Sequence, residues 1–213
     1  MVEIHFDNVS QNFEGREVLR RLSITFHSGM VTAVAGANGS GKSTLLRLAA
    51  RLILPTSGTI ETLRDGVEVR GAEYRAMLGM ATPEMELYTR LTVRENLAFL
   101  LSVRGAPCEE SHLVDLLTRV GLPTEVLNRK TGQLSTGMRQ RVRLAILLGS
   151  DAEVWLLDEP GANLDEEGRT LLASLAREAA AEGRLVLWAT NEQKEEVAAD
   201  ARICIAGGAA HLS

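Results

Sequence analysis

The stretch Gly36-Ala37-Asn38-Gly39-Ser40-Gly41-Lys42-Ser43-Thr44 constrains this chain more than any other part of it. It satisfies G-x-x-x-x-G-K-[ST]. It lies between an apolar run, Val31–Ala35, and a segment with helical apolar spacing, Thr44–Leu52. That context predicts a strand, a tight loop and a helix in succession. Glycines let such a loop wrap so that main-chain N–H groups point inward. The following helix turns its positive N-terminal end toward the same space. Lys42 adds a point charge suited to β- and γ-phosphates, and the Ser43 hydroxyl is a candidate Mg²⁺ ligand. Gly36, Asn38, Gly39, Ser40, Gly41, Lys42, Ser43 and Thr44 are therefore the candidate residues for holding ATP. Lysine is scarce, with three in 213 residues, which makes a chance match rarer.

A second apolar run, Val154-Trp155-Leu156-Leu157, ends in Asp158-Glu159-Pro160. A carboxylate at a strand end beside a phosphate loop can hold Mg²⁺, directly or through water, which makes Asp158 a candidate metal ligand. The next carboxylate, Glu159, can polarise an attacking water as a general base. Alone, the pair would read equally well as solvated acids capping a strand; beside a phosphate cradle the chemical reading is stronger.

The remaining pattern fits around these two anchors. Short β segments are expected at Val2–Phe6, Leu22–Phe26 and Val31–Ala35, with another beginning at Gly58-Thr59-Ile60-Glu61. Val31–Ala35 is apolar throughout, as a strand buried on both faces should be. Residues 92–104, 110–120 and 136–149 read as amphipathic helices, the first two parted by Gly105-Ala106-Pro107. Strands return at Val154–Leu157, Leu185–Ala189 and Ile203–Ala206, with a helix near Glu166–Glu182. The pattern predicts an α/β core with a parallel-rich sheet, a small antiparallel N-terminal β part, and an inserted helical subdomain. The expected division is a core of 1–83 and 151–213 with the helical part at 84–150.

Composition narrows the partners. At 45% apolar and 24% charged, the chain is ordinary for a globular domain, and its net charge of −5 lacks the basic field of a nucleic-acid binder. Cys108 and Cys204 have no Cys or His partner at metal-ligand spacing and read as reduced thiols. His5, His27, His112 and His211 are scattered and read as surface or structural; Trp155 and Trp188, in apolar strands, read as core. The acidic run Glu192 to Glu196 reads as a solvated helix face. The N-terminus lacks a basic head and apolar core, so no secretory signal is expected there. The apolar run Leu97–Leu101 is far below the ~20 residues of a membrane span. If the protein works at a membrane, another chain crosses it.

Taken in order along the chain, these motifs resemble the ATP-binding-cassette family over nearly its whole length, and a P-loop NTPase core is the fold the resemblance implies. Leu134-Ser135-Thr136-Gly137-Met138 lies where the family's LSGGQ signature stands, and Arg139-Gln140-Arg141-Val142 extends the match. Ala162-Asn163-Leu164-Asp165 resembles the D-loop, placing Asp165 there. Phe13 lies where the family usually has an adenine-stacking aromatic, although it also suits a core position. Thr92-Val93-Arg94-Glu95-Asn96-Leu97 is similar to the family's segment after the Q-loop. The resemblance implies a head-to-tail homodimer in which Ser135 and Gly137 of one subunit close over ATP held by the other. Ser135 also suits a plain helix N-cap. It implies, too, a transmembrane permease as partner and a position on the inner face of the cell membrane. In the family the region around Glu84-Met85-Glu86-Leu87-Tyr88 docks that permease, and an exposed Met, Leu and Tyr would suit a groove.

Three positions depart from the pattern. Pro83 stands near the Q-loop glutamine's place and has no polar side chain; Glu84 or Thr82 could take over its role. Asn191 replaces the switch histidine: it can donate a hydrogen bond to a γ-phosphate but cannot relay a proton. Met138 replaces the signature glutamine. The expectation is therefore a transport ATPase with slow turnover, Glu159 as base and Lys42 and Asn191 at the γ-phosphate. Two other functions fit the same residues: an assembly module that binds ATP with little hydrolysis, and a soluble cassette ATPase acting on nucleic acid or the ribosome. No coiled-coil arm, zinc module or second cassette supports the last. The phosphate-loop wording and the short chain without a C-terminal regulatory domain resemble the haem-exporter (cytochrome c maturation) branch, which implies export.

Overall fold

A computed structural model describes residues 1–192 and 199–212. The antiparallel part begins with β1 (Val2–Phe13) and β2 (Arg16–His27), a hairpin turned at Glu14-Gly15. β3 (Met30–Ala35) leads through the glycine-rich loop into α1 (Lys42–Ala49). β4 (Ser57–Arg64) and β5 (Val67–Glu68) return to the first sheet, and α2 (Gly71–Met77) precedes β6 (Leu78–Ala81). Then come α3 (Val93–Ser102), α4 (Glu110–Arg119), two 3₁₀ turns and α5 (Thr136–Gly149). β7 (Val154–Asp158), α6 (Glu166–Ala181), β8 (Leu185–Thr190), β9 (Ala201–Ala206) and β10 (Ala209–Leu212) complete the described chain.

Two sheets result. One is antiparallel in the order β2-β1-β4-β5; the other runs β10-β9-β3-β8-β7-β6, parallel except for the β9–β10 hairpin. The expected mixed α/β architecture is the one adopted. Apolar residues on both faces of the second sheet explain why its strands read as unbroken apolar runs. Along β7, Val154 and Leu156 face a core shared with α1 and the antiparallel sheet, while Trp155 and Leu157 face the helices. Trp188 of β8 packs in the helical core as well, so both tryptophans are buried there. That core runs without a break from Leu97 of α3 and Leu116 of α4 through Val142 of α5 to the sheet.

Caps fix where the helices begin. Thr92 and Glu95 form a reciprocal capping box on α3, Ser135 caps α5 and Asp165 caps α6. The first two strands are longer than expected because register shifts at Phe6/Val9 and Val9/Gln11, with Asn8 at φ 49°, break the alternation that would have marked them. β6 and β5 are four and two residues long and leave almost no pattern; α2, with seven, leaves little more. The run from Glu192 to Glu196 falls outside the described residues beyond Glu192, and so does the side chain of His211. No helix among the described residues is long and apolar enough to cross a membrane.

Candidate nucleotide site

The glycine-rich loop leaves β3 at Gly36, whose φ of 151° and surroundings exclude a side chain. A Cβ there would lie 2.6 Å from the Ile205 carbonyl oxygen and 2.6 Å from Ser40 Oγ. The loop therefore packs its backbone directly on β9. It ends at Gly41, the N-cap of α1. Lys42, 5% exposed, folds back: its Nζ donates to the carbonyls of Gly36 at 2.8 Å and Ala37 at 3.2 Å. The charge is thereby poised over the loop it belongs to. Asn38, Gly39, Gly41, Lys42, Ser43 and Thr44 line a cleft of about 440 Å³.

The ends of β7 and β8 close one side of it. Glu159, just past β7, lines the same cleft. Its amide donates to Ala189 O at 2.9 Å, and its φ of 45° puts a non-glycine residue in the left-handed region. That conformation costs about 1 kcal/mol and persists only where neighbours enforce it. Asp158, the last residue of β7, is 5% exposed, and its Oδ1 has no hydrogen-bond partner. Burial raises its carboxyl above the ordinary aspartate value; Glu84 and Glu159 push the same way, while the Ser43 hydroxyl and Arg47 oppose them. A desolvated carboxylate with an orphaned oxygen next to a hydroxyl suits a hard divalent cation such as Mg²⁺. Just past β8, Asn191 Nδ2 donates to Asn38 Oδ1 at 2.8 Å, tying the end of that strand to the phosphate loop.

The other expected site residues lie elsewhere. Ser135 accepts from the Met138 amide at 3.2 Å, so in this chain it caps its own helix. At Gly137 a Cβ would lie 2.9 Å from Asn163 O, so the missing side chain makes room for the 162–165 loop. Asp165 accepts from the Gly168 amide at 2.8 Å and pairs with Arg141 at 3.1 Å. Those contacts, the Gly168 bond first, hold its carboxyl below the ordinary range. Ser135, Gly137 and Asp165 do not line the phosphate cleft of their own chain. Nor does Phe13, which stands 44% exposed at the end of β1.

The sequence did not single out Arg16 and Val18, which line the cleft from β2 and become neighbours of the loop only through the sheet. Glu84 lies in the turn Thr82-Pro83-Glu84-Met85, closed by Met85 N to Thr82 O at 3.1 Å, and pairs with Arg47 of α1 at 2.7 Å. Proline's fixed φ suits the second position of such a turn. In the docking segment Tyr88 is exposed and stacks edge-on against Phe99, but Leu87 is buried, so only part of the expected groove surface faces solvent. Cys108 and Cys204 are both free thiols.

Known proteins place this geometry. The pattern of the family described as "ABC transporter" matches residues 19–162. The chain is 37% identical over 195 residues to "Probable multidrug ABC transporter ATP-binding protein YbhF" of Escherichia coli (strain K12). That match covers 88% of this chain and 33% of YbhF, so the chain spans about a third of that relative's length. It is 38% identical over 177 residues to "Cytochrome c biogenesis ATP-binding export protein CcmA" of Bradyrhizobium diazoefficiens, covering 83% of this chain and 86% of CcmA. Other relatives carry import names as well as export names. The dimeric structure of a bacterial ABC transporter cassette superposes with a TM-score of 0.85 at 25% identity, covering 97% of this chain and 95% of that one. On a match that spans most of its length, and with the cleft and fold just described, this chain belongs to the ABC transporter family as an ATP-binding cassette.

Proposed function

We propose that the chain binds Mg-ATP in the cleft at the phosphate loop and hydrolyses it to drive a partner permease. The observation that carries this reading is Asp158, a buried carboxylate that meets the Ser43 hydroxyl of the phosphate loop and keeps one oxygen, Oδ1, without a partner. Ser43 and Asp158 would hold the metal, which when bound neutralises charge on the phosphates. The amides of Gly39 to Thr44 and the Lys42 ammonium cradle the β- and γ-phosphates. Lys42 exchanges its two carbonyl partners for phosphate oxygens. Glu159 orients the attacking water and takes its proton as the bond from the γ-phosphorus to the bridging oxygen breaks, leaving ADP and phosphate. Asn191 donates to the γ-phosphate from the end of β8, and Glu84 supplies the polar group that Pro83 lacks.

In the same reading Phe13 stacks on the adenine. Ser135, Gly137 and Asp165 act on ATP held by a second copy, with the helical part at 84–150 carrying the signature to it. The dimeric form of the similar bacterial cassette supports such a homodimer. The chain then sits on the cytoplasmic face of the membrane through a separate transmembrane subunit. Export is the direction favoured by the resemblance to the haem-exporter branch; nucleic acid has no part in it.

The test is Mg-ATP turnover by the purified chain against protein concentration, with Lys42→Ala as the blank. A rate that rises faster than linearly and vanishes in the blank supports a composite site. ATP binding without turnover, unchanged when permease-containing membranes are supplied, refutes the hydrolytic reading in favour of a nucleotide-binding assembly module.

A further inference from the structure

Glu159 stands in a left-handed conformation, and the groups that enforce it lie on two sides. On one side its own amide is held by Ala189 O at 2.9 Å. On the other, the carbonyl of the next residue, Pro160, accepts from Gln140 Nε2 at 2.9 Å. Gln140 is 6% exposed and lies on α5, five residues beyond the Ser135 cap. Its amide oxygen accepts from Arg143 Nη1 at 3.0 Å, and Arg143 Nε donates to Met85 O at 2.6 Å. Among the described residues no carboxylate pairs with Arg143. Burial lowers its pKa, with Arg139 adding to the effect, so its two hydrogen bonds answer a real desolvation.

A guanidinium has donors only, and an amide has one oxygen and one NH₂. Arg143 therefore decides which way the Gln140 amide points. With the oxygen drawn to Arg143, the NH₂ must face Pro160 O. Without Arg143 the amide can turn over, and the Pro160 carbonyl then loses its donor. The same guanidinium reaches Met85, the residue that closes the Thr82–Met85 turn and follows Glu84. One guanidinium is thus linked directly to the Glu84–Met85 segment and, through Gln140, to the Glu159–Pro160 segment.

We infer that Gln140 and Arg143 form a clasp that positions Glu159, setting the rate of the chemical step without contributing to ATP affinity. The inference rests on the hydrolytic reading above, and the two are tested by separate measurements. Gln140→Glu is the informative variant: a carboxylate keeps, and strengthens, the partnership with Arg143, but cannot donate to Pro160 O. Arg143→Met removes the director of the amide. Both are assayed for kcat, KM, ATP affinity and thermal melting in the full chain. Amide hydrogen exchange at Glu159 and Ala162, which donate to Ala189 O and Glu159 O, is followed in parallel.

Each variant should lose about ten-fold or more in kcat, the scale of a displaced catalytic group, with KM and ATP affinity within about two-fold. Gln140→Glu, whose charge pair with Arg143 offsets part of the cost of the unpaired Pro160 carbonyl, should melt higher than Arg143→Met while losing as much kcat, a split that a merely structural role would not produce. Both should speed exchange at Glu159 and Ala162 while the β7 amides stay protected, and the double variant should lose no more than the worse single one. Unchanged kcat, or kcat and affinity falling together with melting temperature, overturns the clasp. A wild type with no turnover above Lys42→Ala sinks the hydrolytic reading instead. In that case exchange decides the clasp alone: unchanged protection at Glu159 and Ala162 refutes it.

Discussion

Replacing Asp158 by asparagine should stabilise the empty chain and cripple the loaded one. In the wild type a carboxylate 5% exposed keeps one oxygen without a partner. Leaving a buried acceptor unsatisfied costs about 1–3 kcal/mol, and more if it is charged. The substitution removes the charge and brings an NH₂ within reach of the Ser43 hydroxyl. For a chain of 213 residues, 1 kcal/mol moves Tm by about 2–4 °C, so the variant should melt about 2–12 °C higher without nucleotide. Mg-ATP at about 100 times its Kd adds about 2.7 kcal/mol to the wild type through linkage. The variant, with a weakened metal site, should gain much less, so the order of the two Tm values narrows or reverses. Dye-monitored melting with and without Mg-ATP measures all four values.

The pH dependence has a definite sign. The folded pKa of Asp158 is raised above the ordinary 3.8, so the folded chain binds this proton more tightly than the unfolded one. Stability from this group is then greatest at low pH and falls as pH climbs from 3.8 through the folded value. The advantage of Asp158→Asn should therefore shrink toward acid and widen toward neutrality. A variant that melts lower than the wild type in the absence of nucleotide, or gains as much from Mg-ATP, would refute the claim that this carboxylate waits for a cation.

Three further outcomes follow from the same geometry. Gly36→Ala pushes a Cβ to 2.6 Å from Ile205 O at φ 151°, and strain of about 1–3 kcal/mol in the loop should weaken binding of a fluorescent ATP analogue by about ten-fold or more. Glu84→Gln takes a negative charge away from the neighbourhood of Asp158 and so weakens the field that attracts a cation; Mg²⁺ half-saturation in the ATPase assay should rise several-fold, and an unchanged value denies Glu84 any part in the metal site. Asn191→His keeps a donor near Asn38 and adds a group that can hold a proton, and should raise kcat with a new dependence on pH near about 6.5. Loss of activity there would mean that the Asn191–Asn38 bond matters more than proton handling.

How much could be read without coordinates depended on how local each interaction is. The phosphate loop was legible because its spacing is set by one turn of backbone between β3 and α1, and Asp158-Glu159 because they follow an unbroken apolar run. The caps at Ser135 and Asp165 obey the same local logic. The long first strands were hidden by bulges, and β6 by its shortness. Arg16 and Val18 reach the cleft only because β2 crosses it from another sheet, a fact with no trace at their own positions. The burial of Leu87 was hidden for a different reason: it sits among exposed residues, yet it packs into the helical core. Gln140 lay within the Arg139–Val142 extension of a motif and Arg143 just beyond it, and their partners, Pro160 and Met85, offer only main-chain carbonyls.

Three features at or beside the cleft resist a stability account. Asp158 Oδ1 has no partner, Ser40 Oγ is buried without one, and Glu159 is held left-handed. Each is unfavourable in the empty chain, and each concerns a group that a metal-bound phosphate would engage or that must aim at one. A fold selected for stability alone would remove them with single substitutions such as Asp158→Asn or Glu159→Gly. Asp158 and Glu159 are adjacent at the end of β7, and that adjacency argues that this end of the sheet stores part of the cost so that ligand binding can release it. The clasp from α5 then follows naturally, since a strained carboxylate stays aimed only while both of its flanks are held.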